Sequence, residues 1–141
     1  MKLLKFLGGI LMDIKSFMIV AEAETKEVAL ERFPEPFVIE AIRETENDKL
    51  KKANTTTRIA KGGNRVKDLN IDKYSDALLV RCVKSPDLQN AELQAFYKTD
   101  GDASATLKAM LFAGEYSTLS QEVLELNGFD NEEEIKEEVK N

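Results

Sequence analysis

Between Asp13 and Ala23, the apolar residues Ile14, Phe17, Met18 and Ala21 fall at i, i+3, i+4 and i+7. That spacing places side chains on one face of an amphipathic helix. Residues 26–32 alternate instead, with Val28 and Leu30 on one side, and residues 37–43 are β-branched and aromatic. Pro34 and Pro36 between these runs exclude helix and enforce a turn, so the two runs predict a hairpin. Thr45 stands where it would cap a short Lys- and Glu-rich helix over about 46–53, which the polar run Asn54-Thr55-Thr56-Thr57 ends. Residues 58–61 and 65–69 flank Gly62-Gly63-Asn64, where glycine supplies the positive φ of a tight hairpin turn. Ile59, Val66 and Leu69 are the large apolar side chains of this second hairpin, too few to bury it.

From Asp72 onward the pattern is helical. Asp72 would cap a helix reaching about Lys84, apolar nearly all round through Tyr74, Ala77, Leu78, Leu79, Val80, Cys82 and Val83, which predicts a central buried position. Ser85-Pro86 ends it. A second helix over 91–98 has Leu93, Phe96 and Tyr97 on its edge, and a third over 103–112 follows a capping Asp102. Gly114 is expected to break the chain before a fourth helix, 115–126, closed by Asn127-Gly128. Asp130 with Glu133 resembles a capping box for a last helix whose apolar residues are Ile135 and Val139. The expected fold is α+β and mostly α-helical: an N-terminal helix, two β-hairpins and a C-terminal cluster of four to five short helices. It forms a single domain over 12–141, with helix and hairpins in 12–70 and helices in 71–141.

Composition narrows the chemistry. The 141 residues contain no histidine, no tryptophan and one cysteine. Without imidazole there is no Ser-His triad, no histidine metal ligand and no histidine general base. Cys82 lies among apolar neighbours and reads as a small core side chain rather than a nucleophile, and a lone cysteine fits a reducing compartment. No phosphate-binding glycine loop is present, because Lys61-Gly62-Gly63-Asn64 lacks the lysine-hydroxyl ending and leads into no helix. The carboxylates Glu132, Glu133, Glu134, Glu137 and Glu138 read as a solvated helix face. No enzyme, cofactor or metal is expected. No apolar run is long enough to span a membrane, and Lys5, Asp13 and Lys15 interrupt any secretion signal.

Charge adds the one functional constellation. The net charge is −6. Lys49, Lys51, Lys52, Arg58, Lys61, Arg65 and Lys67 give residues 49–67 a charge of +7 with no acid among them, leaving −13 on the rest of the chain. Such asymmetry suits a charged partner. An acidic protein surface is the economical choice. A small nucleic-acid-binding regulator acting through 49–67 is the alternative, although no aromatic side chain is interleaved for base stacking. An ordinary solvated lysine-rich loop would look the same in sequence.

Several short strings occur in a fixed order: Asp72-Lys73-Tyr74, Cys82-Val83, Pro86-Asp87-Leu88, Asn90-Ala91-Glu92-Leu93-Gln94, Met110-Leu111, Gly114-Glu115-Tyr116 and Asn127-Gly128-Phe129-Asp130. Pro36-Phe37 and Glu46-Asn47-Asp48 extend the pattern toward the N-terminus. Together they resemble the XkdN-like tail assembly chaperones of contractile-tailed phages and defective prophages, over roughly residues 12–141. The resemblance implies a non-enzymatic assembly factor in the cytoplasm of the bacterial host, absent from the mature virion. Its implied partners are the tape measure protein, which it keeps soluble, and the tail-tube subunits it helps recruit. It also implies a longer form of the same chain made by ribosomal frameshifting, and a homo-oligomer is compatible with it.

A chaperone for a long helical client must cover apolar seams reversibly, through apolar contact with charged rims. The candidate partner-binding residues are Lys51, Lys52, Arg58, Lys61, Arg65 and Lys67, with Ile135 and Val139 of the last helix. Tyr74, Tyr116, Pro86, Gly114 and Gly128 are expected to determine the fold first. Two gene-level expectations concern the ends. Leu7-Gly8-Gly9 can be encoded by TTA GGA GGT, containing a ribosome-binding core, so translation would start at Met12 and residues 1–11 would be a non-native extension, poorly packed or separately helical. Val139-Lys140-Asn141 can be encoded by GTA AAA AAC, which contains a slippery heptamer.

Overall fold

The computed structural model describes residues 13–129, and ahead of them the backbone pairing of β1 (Lys5–Phe6) with β2 (Gly9–Ile10). That pairing is antiparallel, with Lys5 opposite Ile10, so these four residues are strand and not helix. The helix expected over 13–23 does not form. A 3-10 turn at Ile14–Phe17, capped by the Asp13 carboxylate accepting from the Lys15 amide at 3.0 Å, gives way to irregular chain. Ile14, Phe17, Met18, Ile19 and Val20 are all 64–92% exposed. A helix this short is marginal in water unless its apolar face is buried, and among the described residues none covers this one.

The first expected hairpin is present, with shorter strands. β3 (Thr25–Val28) pairs antiparallel with β4 (Phe37–Glu40), Thr25 opposite Glu40 and Val28 opposite Phe37. α1 (Glu44–Ala53) begins earlier than expected, with Arg43 at its N-cap and no side-chain cap, so Thr45 lies inside the helix. The second hairpin joins β5 (Thr55–Ile59) to β6 (Arg65–Leu69) through a turn in which Gly62 and Gly63 have φ of +84° and +82°. The threonines expected only to end α1 form three of the five residues of β5, as β-branched residues readily do.

α2 (Ile71–Cys82) is capped by Asn70, whose side chain accepts from the Lys73 amide, and not by Asp72. It stops short of Lys84 because Val83–Ser85 forms β7, which adds to the free side of β4 and completes a three-stranded sheet in the order β3-β4-β7. α3 (Ala91–Phe96) and α4 (Ala103–Met110) follow, capped by Asn90 and Asp102. α5 (Ala113–Leu126) contains Gly114 in its first turn, where the backbone N–H groups have no helical partner in any case, so the glycine does not break the chain. The expected close of α5 is seen: Gly128 has φ +90°, and the Phe129 and Gly128 amides return to the Leu124 and Glu125 carbonyls at 2.8 and 3.1 Å. The helix expected after Asp130 lies outside the described residues.

The core lies between the three-stranded sheet and the helices. Phe37 and Ile39 of β4 meet Tyr74, Leu78, Leu79 and Cys82 of α2, and α4 and α5 close over them with Leu107, Leu119 and Val123. α2 is central, as its all-round apolar character requires. Each fully buried aliphatic side chain here contributes about 1.5–3 kcal/mol of transfer free energy.

Candidate functional site

The strand register sorts the side chains of the β5–β6 hairpin onto two faces. Ile59 stands opposite Arg65, Thr57 opposite Lys67 and Thr55 opposite Leu69. Opposed residues share a face, so Leu69, Lys67, Arg65 and Ile59 run along one side from base to tip. Leu69 at the base is half-buried against the core, while Ile59 at the tip is 74% exposed. The other face carries Arg58, whose Nε donates to Asp68 Oδ2 at 2.5 Å.

Of the basic residues expected to form a binding surface, half are occupied within the fold. Lys51 reaches Glu44 at 4.0 Å and is largely covered, Lys52 pairs with Asp48 one helical turn away at 2.9 Å, and Arg58 is held by Asp68. Asp68 follows directly on the all-basic stretch, and only the strand register shows that it neutralises Arg58. Lys61, Arg65 and Lys67 are exposed and have no carboxylate partner among the described residues. The register therefore places Ile59, Arg65 and Lys67 on one face of the hairpin, with Lys61 in the turn at its tip, while Arg58 is on the opposite face and Lys51 and Lys52 are on α1. Ile135 and Val139 lie outside the described residues.

The short strings that carried the family resemblance are committed to the fold. The Tyr74 hydroxyl donates to Asn47 Oδ1, a buried link between α2 and α1. The Gln94 side chain donates to the Leu88 carbonyl and accepts from the Gly101 amide, at 2.8 and 2.9 Å. Asn127 Oδ1 accepts from the Ile42 amide at 2.9 Å, tying the end of α5 to the chain after β4. Glu115 accepts two guanidinium bonds from Arg32 at 2.6 and 2.9 Å and one from the Phe112 amide, which together hold its carboxyl below the usual range. Asp76 accepts from both Tyr116 and Lys108 at 2.6 Å, joining α2, α4 and α5. Cys82 is fully buried, a core side chain as expected, and that burial pushes its thiol up to about 11. Among the described residues no group of potential metal ligands gathers, and no helix is long and apolar enough to cross a membrane.

Two apolar surface features go beyond the sequence reading. The first is the run Ile14–Val20, whose apolar residues were expected on a helix face and are exposed. The second is a pair of adjoining grooves, about 450 and 320 Å³, that share Pro86 and Leu93. The larger is lined by Phe96, which is 76% exposed, and rimmed by Asp87 and Glu92; the smaller runs to Pro34 and Glu35. Phe96, expected on the apolar edge of its helix with Leu93, is the last residue of α3 and stands exposed, its ring edge-to-face with that of Tyr97 at 4.8 Å.

The mixed α+β scaffold thus presents a cationic hairpin edge and a pair of apolar grooves. The chain belongs to the phage XkdN-like tail assembly chaperone family, whose family model matches residues 11–140. It is 30% identical to the phage-like element PBSX protein XkdN of Bacillus subtilis (strain 168), over 92% of this chain and 94% of that one. It is 33% identical to the protein YqbN of the same organism, over 85% of this chain and 86% of that one. A crystal structure of YqbN superposes with a TM-score of 0.70 at 28% identity, covering 85% of this chain and 99% of that chain. Membership defines a non-enzymatic role in phage tail assembly, with partners among phage tail proteins.

Proposed function

We propose that this protein binds the tape measure protein before the tail is built, keeps it soluble and helps recruit tail-tube subunits, acting in the host cytoplasm and leaving before the virion matures. The contact is the hairpin edge formed by Ile59, Lys61, Arg65 and Lys67. The observation that supports it is that three cations with no ion-pair partner among the described residues sit together near an exposed Ile59, while Arg32, Arg81 and Lys26 are all paired within the fold. A long helical client exposes an apolar seam flanked by charge. Ile59 covers apolar surface there, and the cations select acidic flanks and speed encounter. Ile135 and Val139 are proposed as a second contact, and the longer frameshifted form as a second carrier of the same surface.

Co-expression with the tape measure protein tests this reading. The double reversal Lys61→Glu with Arg65→Glu should reduce co-purification at least tenfold at low salt and flatten its salt dependence. Equal recovery of the client by wild type and double variant at low salt contradicts the assignment. Loss of the complex on nuclease treatment points instead to a nucleic-acid partner.

A further inference from the structure

The strand register puts Ile59 at the outer end of the β5–β6 hairpin, with its side chain 74% exposed. Around it the charge has one sign. From Arg58 to Asp68 the cations are Arg58, Lys61, Arg65 and Lys67, and the one acid, Asp68, is taken up by Arg58. The tip is an apolar side chain in a +3 setting, and α1 does not offset it, because Lys51 and Lys52 face Glu44 and Asp48. The converse surface lies at the adjoining grooves around Pro86 and Leu93. There Phe96 stands 76% exposed, and Asp87, Glu92 and Glu35 are exposed with no ion pair among the described residues. Flanking charge keeps that sign. Residues 31–36 and 84–102 hold six acids against Arg32, Lys84 and Lys98, and Arg32 is itself held by Glu115. Ser85 lines the smaller groove, so Lys84, its neighbour along β7, points to the other face of the sheet.

We propose that the hairpin tip of one copy docks in the Pro86/Leu93/Phe96 groove of a second copy, Ile59 covering Phe96 and Leu93 while Lys61, Arg65 and Lys67 meet Glu35, Asp87 and Glu92. Two exposed apolar surfaces of opposite charge then cover each other. The mate is another molecule because α2 stands between the two surfaces of one chain. The hairpin ends at Leu69, the groove begins at Ser85, and the 12-residue helix between them is about 18 Å long. Within the chain both Ile59 and Phe96 stay exposed. The contact joins different patches of the two copies, and its opposite charges make it salt-sensitive. It goes beyond the client contact while using the same hairpin edge, so a client must displace the second copy to reach that edge.

The test is the mass of the purified full chain by sedimentation equilibrium at low salt, with no client present. Wild type should rise with concentration above the 15.9 kDa monomer. Lys61→Glu with Arg65→Glu reverses the tip, and Glu35→Lys with Glu92→Lys reverses the groove rim. Either pair alone should weaken association at least tenfold. An equimolar mixture of the two variants should restore it, because acidic tips meet basic grooves and the unaltered tip and groove still fit each other. All four side chains are exposed, so far-UV dichroism should match wild type. Ile59→Asp and Phe96→Asp supply an apolar arm. Each alone should stay at 15.9 kDa, while their mixture keeps one intact tip and one intact groove and should form a dimer of about 32 kDa, twice the chain mass. A wild type that remains at 15.9 kDa at all concentrations, a charge variant that associates like wild type, or a charge-swapped mixture that stays monomeric overturns the proposal. Capture of a basic apolar client peptide in the groove by a strictly monomeric chain assigns the groove to the client and overturns it equally. The client is absent from every mass measurement, so failure here leaves the client contact of the hairpin standing, and failed co-purification of the client leaves this association standing.

Discussion

Arg32, Arg81, Lys26 and Lys108 each join two or more segments of the packed region, whereas Lys61, Arg65 and Lys67 on the hairpin form no ion pair with any described residue. The same contrast runs through the apolar residues. Leu78, Leu107 and Leu119 are at most 2% exposed, and Ile59 is 74% exposed at a similar level of hydrophobicity. Side chains in the first region are held by one another, so changing them changes stability. Ile59, Lys61, Arg65 and Lys67 are exposed and pair with no described carboxylate, so changing them should change chiefly what the protein touches.

The largest expected effect lies in the core. Leu78→Ala should cost about 2–5 kcal/mol of unfolding free energy, through lost transfer energy and the cavity left behind. Ile59→Ala should stay within about 0.5 kcal/mol of wild type in the same urea titration. Equal costs for the two would erase the distinction between regions. Next comes Tyr74→Phe, which leaves Asn47 Oδ1 buried without its phenolic donor. It should lose about 1–3 kcal/mol with no change in client binding. The smallest is a gain. Lys98 closes α3 with φ +59°, and the Thr99 amide returns to the Gln94 carbonyl at 2.9 Å, a position that suits glycine. Lys98→Gly should raise stability by about 0.5–1 kcal/mol, read as a rise in Tm, because the left-handed conformation penalises a side chain.

Much of the C-terminal half was legible because its helices carry both a stripe and punctuation. Asp102 caps α4 as its position implied, and Asn127-Gly128 ends α5. Tyr74, Leu78 and Cys82 are buried as their all-round pattern required. The errors have physical causes. The 13–23 stripe has helical spacing and no partner surface, and spacing alone does not stabilise eleven residues. Three residues, Val83–Ser85, are too few to display a period, so β7 was hidden behind α2. Thr55–Thr57 looked like loop until β6 supplied a pairing strand. On the candidate site, the excess of positive charge was readable, but its division was not. Which cations are cancelled depends on Asp48 one turn from Lys52 and on Asp68 reaching across from Arg58. The grooves around Pro86 gave no signal, since they arise where three separate segments meet.

The claim that the hairpin edge is the working surface and α2 the scaffold is tested most directly by hydrogen exchange of the free protein and of its complex with the tape measure protein. Residues 55–69 form a two-stranded sheet with open edges, so their amides should exchange fast when free and slow at least tenfold in the complex. The amides of α2, buried in both states, should not change. Protection gained elsewhere while 55–69 exchange as fast as in the free protein would contradict the account.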